Sequence, residues 1–351
     1  MRNLEHKDDE HKDHVDVNTA ISIEPSRRFR ALLYGLLLIT FGFAVYVCTV
    51  ALAGVRHLFA SEWLDLWLRN VIWYAGMPVF AGLLLCGLDL FVLLGRRPKN
   101  STVPFEIPDI QYLTVVLTAY NDELSIPHAV RDFASHPLVR RVIVLDNNSG
   151  DRTAQVAHEA GAEVIVEKRP GYGRCVYRAL SEGLKFEDTE LTLLCEGDMT
   201  FRAYDIDKFM AYIAHAEIVN GTRIVEQLRE KETQLTTFMY YGNFFAAKLL
   251  EAKHVGEGTF TDVGTTYKLC RNRILKKLLP VLDPSVNLEF NAHFLDTALS
   301  YGVRMVECPV TFHQRVGRSK GGNTGNLRAF SVGMRMLTGI ILSWKYVAGK
   351  Q

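Results

Sequence analysis

The stretch from Ala31 to Val55, ALLYGLLLITFGFAVYVCTVALAGV, carries no charged side chain and is longer than the ~20 residues a helix needs to cross the hydrocarbon core of a bilayer. A second apolar run, Val71 to Gly95, is interrupted only by Pro78 and one acid, Asp89. Backbone in lipid must satisfy its own polar groups, so both runs are predicted to be spanning helices, the second tilted or kinked near Pro78. Asp89 has two readings: a functional intramembrane acid, or an acid near the interface paired with the neighbouring helix. Arg27, Arg28 and Arg30 precede the first run, and Arg96, Arg97 and Lys99 follow the second. Arg56 and Arg69 weaken this asymmetry without reversing it, so both ends are expected in the cytoplasm. Residues 27–99 thus read as a two-helix transmembrane anchor, multi-pass, in an inner or plasma membrane. Residues 1–26 are charged and poor in apolar side chains, which predicts a disordered cytosolic tail rather than a signal peptide. Gly76, Gly82 and Gly87 offer small faces either to the first span or to a second copy, which keeps a homo-oligomer open.

The rest of the chain is long enough for a full α/β domain. Forty basic and 39 acidic side chains leave a net charge of +1, with no global footprint for nucleic acid, so any anion site is local. The six cysteines have neither CxxC nor Cys/His spacing. They read as free thiols in a reducing compartment, without zinc or a disulfide framework.

After residue 105 the pattern turns to short apolar strands, YLTVVLTAY, RRVIVLD, AEVIVEK and ELTLLCEGD, alternating with helical stretches. That predicts an α/β fold with a mostly parallel sheet covered by helices, here over residues 105–325. Residues 326–351 follow, with an apolar stretch from Leu327 to Val347 broken by Arg328, Arg335 and Lys345. It reads as an amphipathic interfacial helix, with a core helix of the domain as the alternative.

Ligands of open parallel sheets bind beyond the carboxyl ends of the strands, and three such ends here are unusually polar. The first gives Thr118, Tyr120, Asn121 and Glu123; the second Asp146, Asn148, Ser149 and Asp151; the fourth Glu196, Gly197 and Asp198. Together they suit a nucleotide diphosphate: a ring and carboxylate for the base, hydroxyls and amides for the ribose, and an acid pair for Mg²⁺ or Mn²⁺. Each alone is no more than a common turn.

In order and spacing, these motifs resemble the family-two glycosyltransferases of GT-A fold, whose pattern runs from a xYNE-like strand end through DxxSxDxT to a DxD metal motif. The resemblance covers about residues 112–325 and implies transfer of a sugar from a nucleotide-sugar. It implies that Tyr120, Glu123 and Asp146 hold the base and ribose and that Asp198 is the principal metal ligand. Glu196 stands where Asp is common, a longer carboxylate suited to binding the metal through water. The run Glu167 to Arg174, with Lys168, Gly171 and Gly173, is similar to the family's glycine-rich stretch. There, helix amides and a cation would meet a phosphate; a simple basic turn is the alternative.

Within the family the chain is most similar to the polyprenyl-phosphate mannose and glucose synthases. The likeness lies in Asn220 to Arg223 after the fifth strand, Asp262 to Lys268 resembling DxxxGFR, and Arg315 to Gly321 resembling RxxGxSK. It implies that Arg223, Arg229 and Lys231 bind the acceptor phosphate. It also implies that Arg315, Arg318, Ser319 and Lys320 meet the donor diphosphate or belong to a gating loop. Two departures bear on the acceptor: His293, after Asn291 and Glu289, stands where those synthases commonly place Glu, and the loop after Arg223 lacks a glycine-rich start.

A phosphate acceptor, ionised at neutral pH, can attack the anomeric carbon without a general base. A hydroxyl acceptor on a glycolipid needs one, and Asp262, Glu289 or His293 would serve. The phosphate reading is favoured, with Asp198, Arg223, Asp262 and Glu289 as the catalytic candidates and a single inverting displacement as the reaction. A membrane protein that binds nucleotide-sugar without turnover is the reading from another class.

Overall fold

The computed structural model describes residues 30–55, 62–96, 105–109, 112–231, 233–317 and 326–349. The expected tail over 1–26 lies outside them, as do Arg56, Arg97, Lys99, Arg318, Ser319 and Lys320.

The first apolar run is one helix, α1 (Ala31–Val55). The second begins before the predicted Val71, as α2 (Glu62–Tyr74), breaks at Ala75, and continues as α3 (Gly76–Gly87) into a π-helical stretch, Leu88–Leu93. Pro78 accounts for the break: it has no N–H for the Tyr74 carbonyl, and its ring crowds that oxygen. Ala31–Gly54 and Asp65–Leu93 are long and apolar enough to cross a membrane. Facing glycines bring α1 and α3 together, since a Cβ at Gly35 would stand 2.7 Å from the Gly82 carbonyl oxygen and one at Gly82 2.5 Å from that of Gly35. Gly76 and Gly87 face no helix at such range, so of the three glycines singled out only Gly82 packs on α1. Asp89 is 1% exposed and accepts the Leu32 N–H at 2.8 Å, one of the amides that the first turn of a helix leaves unpaired. It pairs with the neighbouring helix, as its second reading held.

Seven strands form one sheet in the order β3-β2-β1-β4-β6-β5-β7. They are β1 (Leu113–Ala119), β2 (Val139–Asp146), β3 (Glu163–Val166), β4 (Leu191–Glu196), β5 (Ile218–Thr222), β6 (Lys268–Arg271) and β7 (Met305–Pro309). Asn220 to Thr222, expected after the fifth strand, are its last residues. β6 runs antiparallel to β4 and β5, and the other pairs are parallel. This is the mostly parallel GT-A arrangement. The reversal of β6 matters for the site, because the segment leading into it enters from the edge where the other strands end.

Both faces of the sheet are buried, so its strands read as nearly continuous apolar runs. On one side Leu113, Val115 and Leu117 of β1 pack with α4 (Ile126–Ala134), α5 (Thr153–Glu159) and α7 (Ile206–Ile213). On the other, Val116 packs with α6 (Tyr172–Gly183), α8 (Thr237–Lys253), α9 (Asn272–Leu278), α10 (Phe290–Ser300) and α11 (Asn326–Ile341). Leu33 of α1 belongs to this second core with Ala246 and Leu250 of α8, so the start of α1 is sunk into the domain. In α11, Met336 and Ile340 are buried while Leu327, Phe330 and Met334 are exposed. The helix therefore turns one face to the core and leaves apolar side chains exposed on the other.

Candidate functional site

The loops after β1 and β2 are sewn to each other. The Asn121 N–H donates to Ser149 Oγ at 2.8 Å and the Gly150 N–H to Asn121 Oδ1 at 2.7 Å. Glu123 Oε2 accepts the Arg152 N–H at 3.2 Å, and the Glu123 N–H reaches Asp151 Oδ2 at 3.4 Å. Asp146 accepts the Ser149 N–H. Asn121, Asn148 and Met199 have left-handed φ values of 51°, 57° and 67° and stand at the ends of β1, β2 and β4, where strain commonly marks a working site. Tyr120 is exposed at the rim. Thr118 is buried, and its carbonyl holds the Gly197 N–H at 2.9 Å. A Cβ at Gly197 would run into Ile126, so helix packing rather than ligand approach requires that glycine.

At the end of β4, Asp198 Oδ1 accepts from the Thr200 hydroxyl at 2.5 Å and its N–H at 3.1 Å. Its buried Oδ2 faces Arg315 Nη1 at 3.1 Å, near enough for an ion pair but without hydrogen-bond alignment. The same guanidinium donates from Nη2 to Asp122 Oδ1 at 2.7 Å. Burial, and then the charge of Glu196, push the Asp198 carboxyl up to about 6, against Arg315 and Thr200, which lower it. Among the described residues no three His, Cys, Asp or Glu side chains cluster for a metal. A divalent cation fits Asp198 Oδ2, with Glu196, only if its other oxygens come from a ligand, as those of a diphosphate would.

The reversed lead into β6 brings Asp262 and Thr266 to this edge. Asp262 is fully buried and grips Arg223, Nε to Oδ2 at 2.7 Å and Nη2 to Oδ1 at 2.8 Å. Burial raises the Asp262 pKa, but the Arg223 charge and hydrogen bonds outweigh it and hold the group below its usual value. The Arg223 fork, expected at an acceptor phosphate, is therefore engaged within the protein. Glu289 is likewise paired with Arg335 of α11 at 2.6 Å. His293 Nε2 accepts the Asp283 N–H at 2.9 Å, and burial lowers its pKa to about 4. It is neutral with its basic nitrogen occupied, so it is no general base.

The α6 start also differs from expectation. Asn287 Oδ1 accepts the N–H groups of Tyr172 at 2.5 Å and Gly173 at 3.4 Å, taking amides expected to meet a phosphate. A Cβ at Gly173 would collide with the Val286 carbonyl, so that glycine serves packing. Gly171, with φ 137°, makes the turn, and Lys168 is exposed beside it. Arg229 stands over the Tyr240 ring of α8 at 5.3 Å with a loose ion pair to Glu226 at 3.9 Å. Lys231 is exposed.

The model of glycosyl transferase family 2 matches residues 114–279, and protein RfbJ of Shigella flexneri is 35% identical over 126 residues, 36% of this chain and 92% of RfbJ. The chain belongs to glycosyl transferase family 2. Uncharacterised glycosyltransferases of Mycobacterium tuberculosis and Mycobacterium bovis are 38% identical to this chain over 112 residues, 32% of the chain and 48% of theirs. The chain thus spans about half the length of these relatives. A dolichyl-phosphate hexose transferase of Haloferax volcanii is 27% identical over 209 residues, 59% of the chain and 86% of that protein. Among solved structures, a glucosyl-3-phosphoglycerate synthase of Mycobacterium tuberculosis is a distant likeness, 16% identical with TM-score 0.46, covering 66% of this chain and 80% of its own.

Sequence reasoning gave no role to Asp122, Tyr172, Thr266 or Asn291. Each lies inside a motif that was singled out. What makes it important is a partner distant in sequence, and no local spacing reports that.

Proposed function

We propose that this glycosyltransferase moves a hexose from a UDP- or GDP-sugar to a membrane polyprenyl phosphate in one inverting displacement. The observation that carries the acceptor is the state of the three candidate bases: Asp262 is clasped by Arg223, Glu289 by Arg335, and His293 is neutral with Nε2 occupied. A hydroxyl acceptor requires a free base, whereas a phosphate brings its own charge. The similarity to a dolichyl-phosphate hexose transferase supports the same reading.

In this reading Tyr120, Asn121, Glu123, Asp146, Asn148, Ser149 and Asp151 frame the base and ribose. Asp198 and Glu196 hold Mg²⁺ or Mn²⁺, which when bound neutralises the departing diphosphate. Arg315, with Ser319 and Lys320 beyond it, turns to that diphosphate. Arg229 and Lys231 receive the acceptor phosphate, and Arg223 fixes Asp262 and lends its charge. The two apolar helices span the membrane, with the catalytic domain on the cytoplasmic side.

The test is transfer of labelled sugar from UDP- and GDP-sugars with Mn²⁺ or Mg²⁺ to polyprenyl phosphate in vesicles, beside Asp198→Asn. Labelled lipid that disappears in the variant is the expected result. Label found only on hydroxyl-bearing glycolipids overturns the acceptor, and donor binding without turnover overturns the enzyme in favour of a binding protein.

A further inference from the structure

We propose that Asn291, Tyr172 and Thr266 form a directed hydrogen-bond chain that positions the Glu196 carboxylate, resting on the reading that Glu196 faces the donor and its cation. Its direction is fixed from both ends. Asn291 Nδ2 lies 3.1 Å from the Gly264 carbonyl oxygen, which only accepts, while Lys268 Nζ, a donor, approaches Oδ1 at 3.4 Å. The amide is thereby oriented, with one hydrogen for Gly264 and the other shared between the Tyr172 hydroxyl at 2.9 Å and Thr266 Oγ1 at 3.2 Å. At the far end, Thr266 Oγ1 is 2.8 Å from Glu196 Oε1, and a carboxylate only accepts. Thr266 therefore donates to Glu196 and must itself accept from Tyr172, at 2.5 Å. Reversing any link sets two acceptors face to face.

The chain runs from the buried amine of Lys268, whose pKa burial lowers to about 7, to a carboxylate at the end of β4, each bond polarising the next. Lys268, Thr266 and Asn291 are buried, so bulk water is a poor substitute for a lost member. The Tyr172 backbone is pinned separately by Asn287. With Oε1 held, the carboxylate has one orientation, and Oε2 is the oxygen left to meet a ligand. The three side chains come from α6, the lead into β6 and α10, none of which includes the DxD-like motif. They are positioning residues, acting through Glu196.

The experiment compares Thr266→Val, which keeps shape and removes the hydroxyl, with Thr266→Ser, which restores it, and with Tyr172→Phe, which keeps the ring should the valine variant not fold. Mn²⁺ binding is titrated by electron paramagnetic resonance with UDP or GDP, whichever the wild type binds, and thermal unfolding in detergent monitors the fold. Thr266→Val and Tyr172→Phe are expected to weaken nucleotide-dependent Mn²⁺ binding roughly tenfold, the worth of a hydrogen bond to a charged group, and Thr266→Ser to recover it. Folded Thr266→Val or Tyr172→Phe protein with wild-type Mn²⁺ binding overturns the chain while leaving the site reading intact. A wild type that binds neither Mn²⁺ nor nucleotide overturns the site reading, and this inference with it.

Discussion

Arg315 occupies the place that a cation and a diphosphate would have to share. Its guanidinium bridges Asp122 at 2.7 Å and Asp198 at 3.1 Å, so on the proposed reading metal and Arg315 compete for one carboxylate oxygen. The donor diphosphate, by drawing the guanidinium to itself, would relieve that competition, and metal and donor would bind cooperatively. Arg315→Gln should then tighten Mn²⁺ binding without nucleotide several-fold and raise the KM for nucleotide-sugar. Weaker Mn²⁺ binding in this variant would sink the competition. Asp198 adds a pH dependence. Its carboxyl is pushed up to about 6, first by burial and then by Glu196, and it must be ionised to hold a cation. Mn²⁺ affinity should be full above about pH 7 and fall as pH drops through 6, at a higher pH than for an ordinary carboxylate of pKa ~4. Titrations between pH 5 and 8 would reveal this, and a flat profile would contradict it.

At the scale of elements, the α1/α3 contact depends on glycines, Gly35 and Gly42 of α1 and Gly82 of α3. Leucine at Gly35 or Gly82 would press into the backbone of the facing helix, whereas a Cβ at Gly76 has nothing within 4 Å to meet. Gly35→Leu and Gly82→Leu should cost about 1–3 kcal/mol as overpacking and loosen the pair, while Gly76→Leu is silent. Cysteine crosslinking between the helices in membranes would distinguish them. The first helix was legible because α1 needs only length and absence of charge. The start of the second was not, since α2 mixes Asp65, Arg69 and Asn70 with its tryptophans and reads as polar loop. The four strands quoted from the sequence are all present, because a sheet buried on both faces makes its strands apolar throughout. The reversal of β6 left no mark on its four residues. It follows from pairing with β4 and β5, and with it went the meeting of Asp262 with Arg223 and of Thr266 with Glu196. Residues of the β1 and β2 loops were recoverable as types, but their mutual hydrogen bonds could not be read from one strand end alone.

At the scale of the whole molecule, the first apolar helix and the α/β domain share one core. Leu33 of α1 is buried against Ala246 and Leu250 of α8, so α8 runs beside the start of α1. Its Phe238, Tyr241 and Phe245 are exposed at i, i+3 and i+7, one helical face. α11, which packs against α8, exposes Leu327, Phe330 and Met334 at the same spacing. Apolar stripes of this kind next to a helix long and apolar enough to cross a membrane suit the boundary between headgroups and acyl chains. On the proposed reading, in which Arg229 and Lys231 receive the acceptor phosphate, a lipid would lie along this stripe, since α8 also carries Tyr240 against Arg229. Replacing Phe238, Tyr241 and Phe245 together by serine should therefore reduce transfer to long-chain polyprenyl phosphate in vesicles by roughly tenfold or more, at about 25 cal/mol per Å² of apolar surface withdrawn from water. Transfer to a short, water-soluble isoprenyl phosphate should change far less, because phosphate capture and donor chemistry lie elsewhere. Equal loss on both acceptors would mean that the stripe supports the fold rather than the lipid. Equal retention would mean that the acceptor reaches the site by another face.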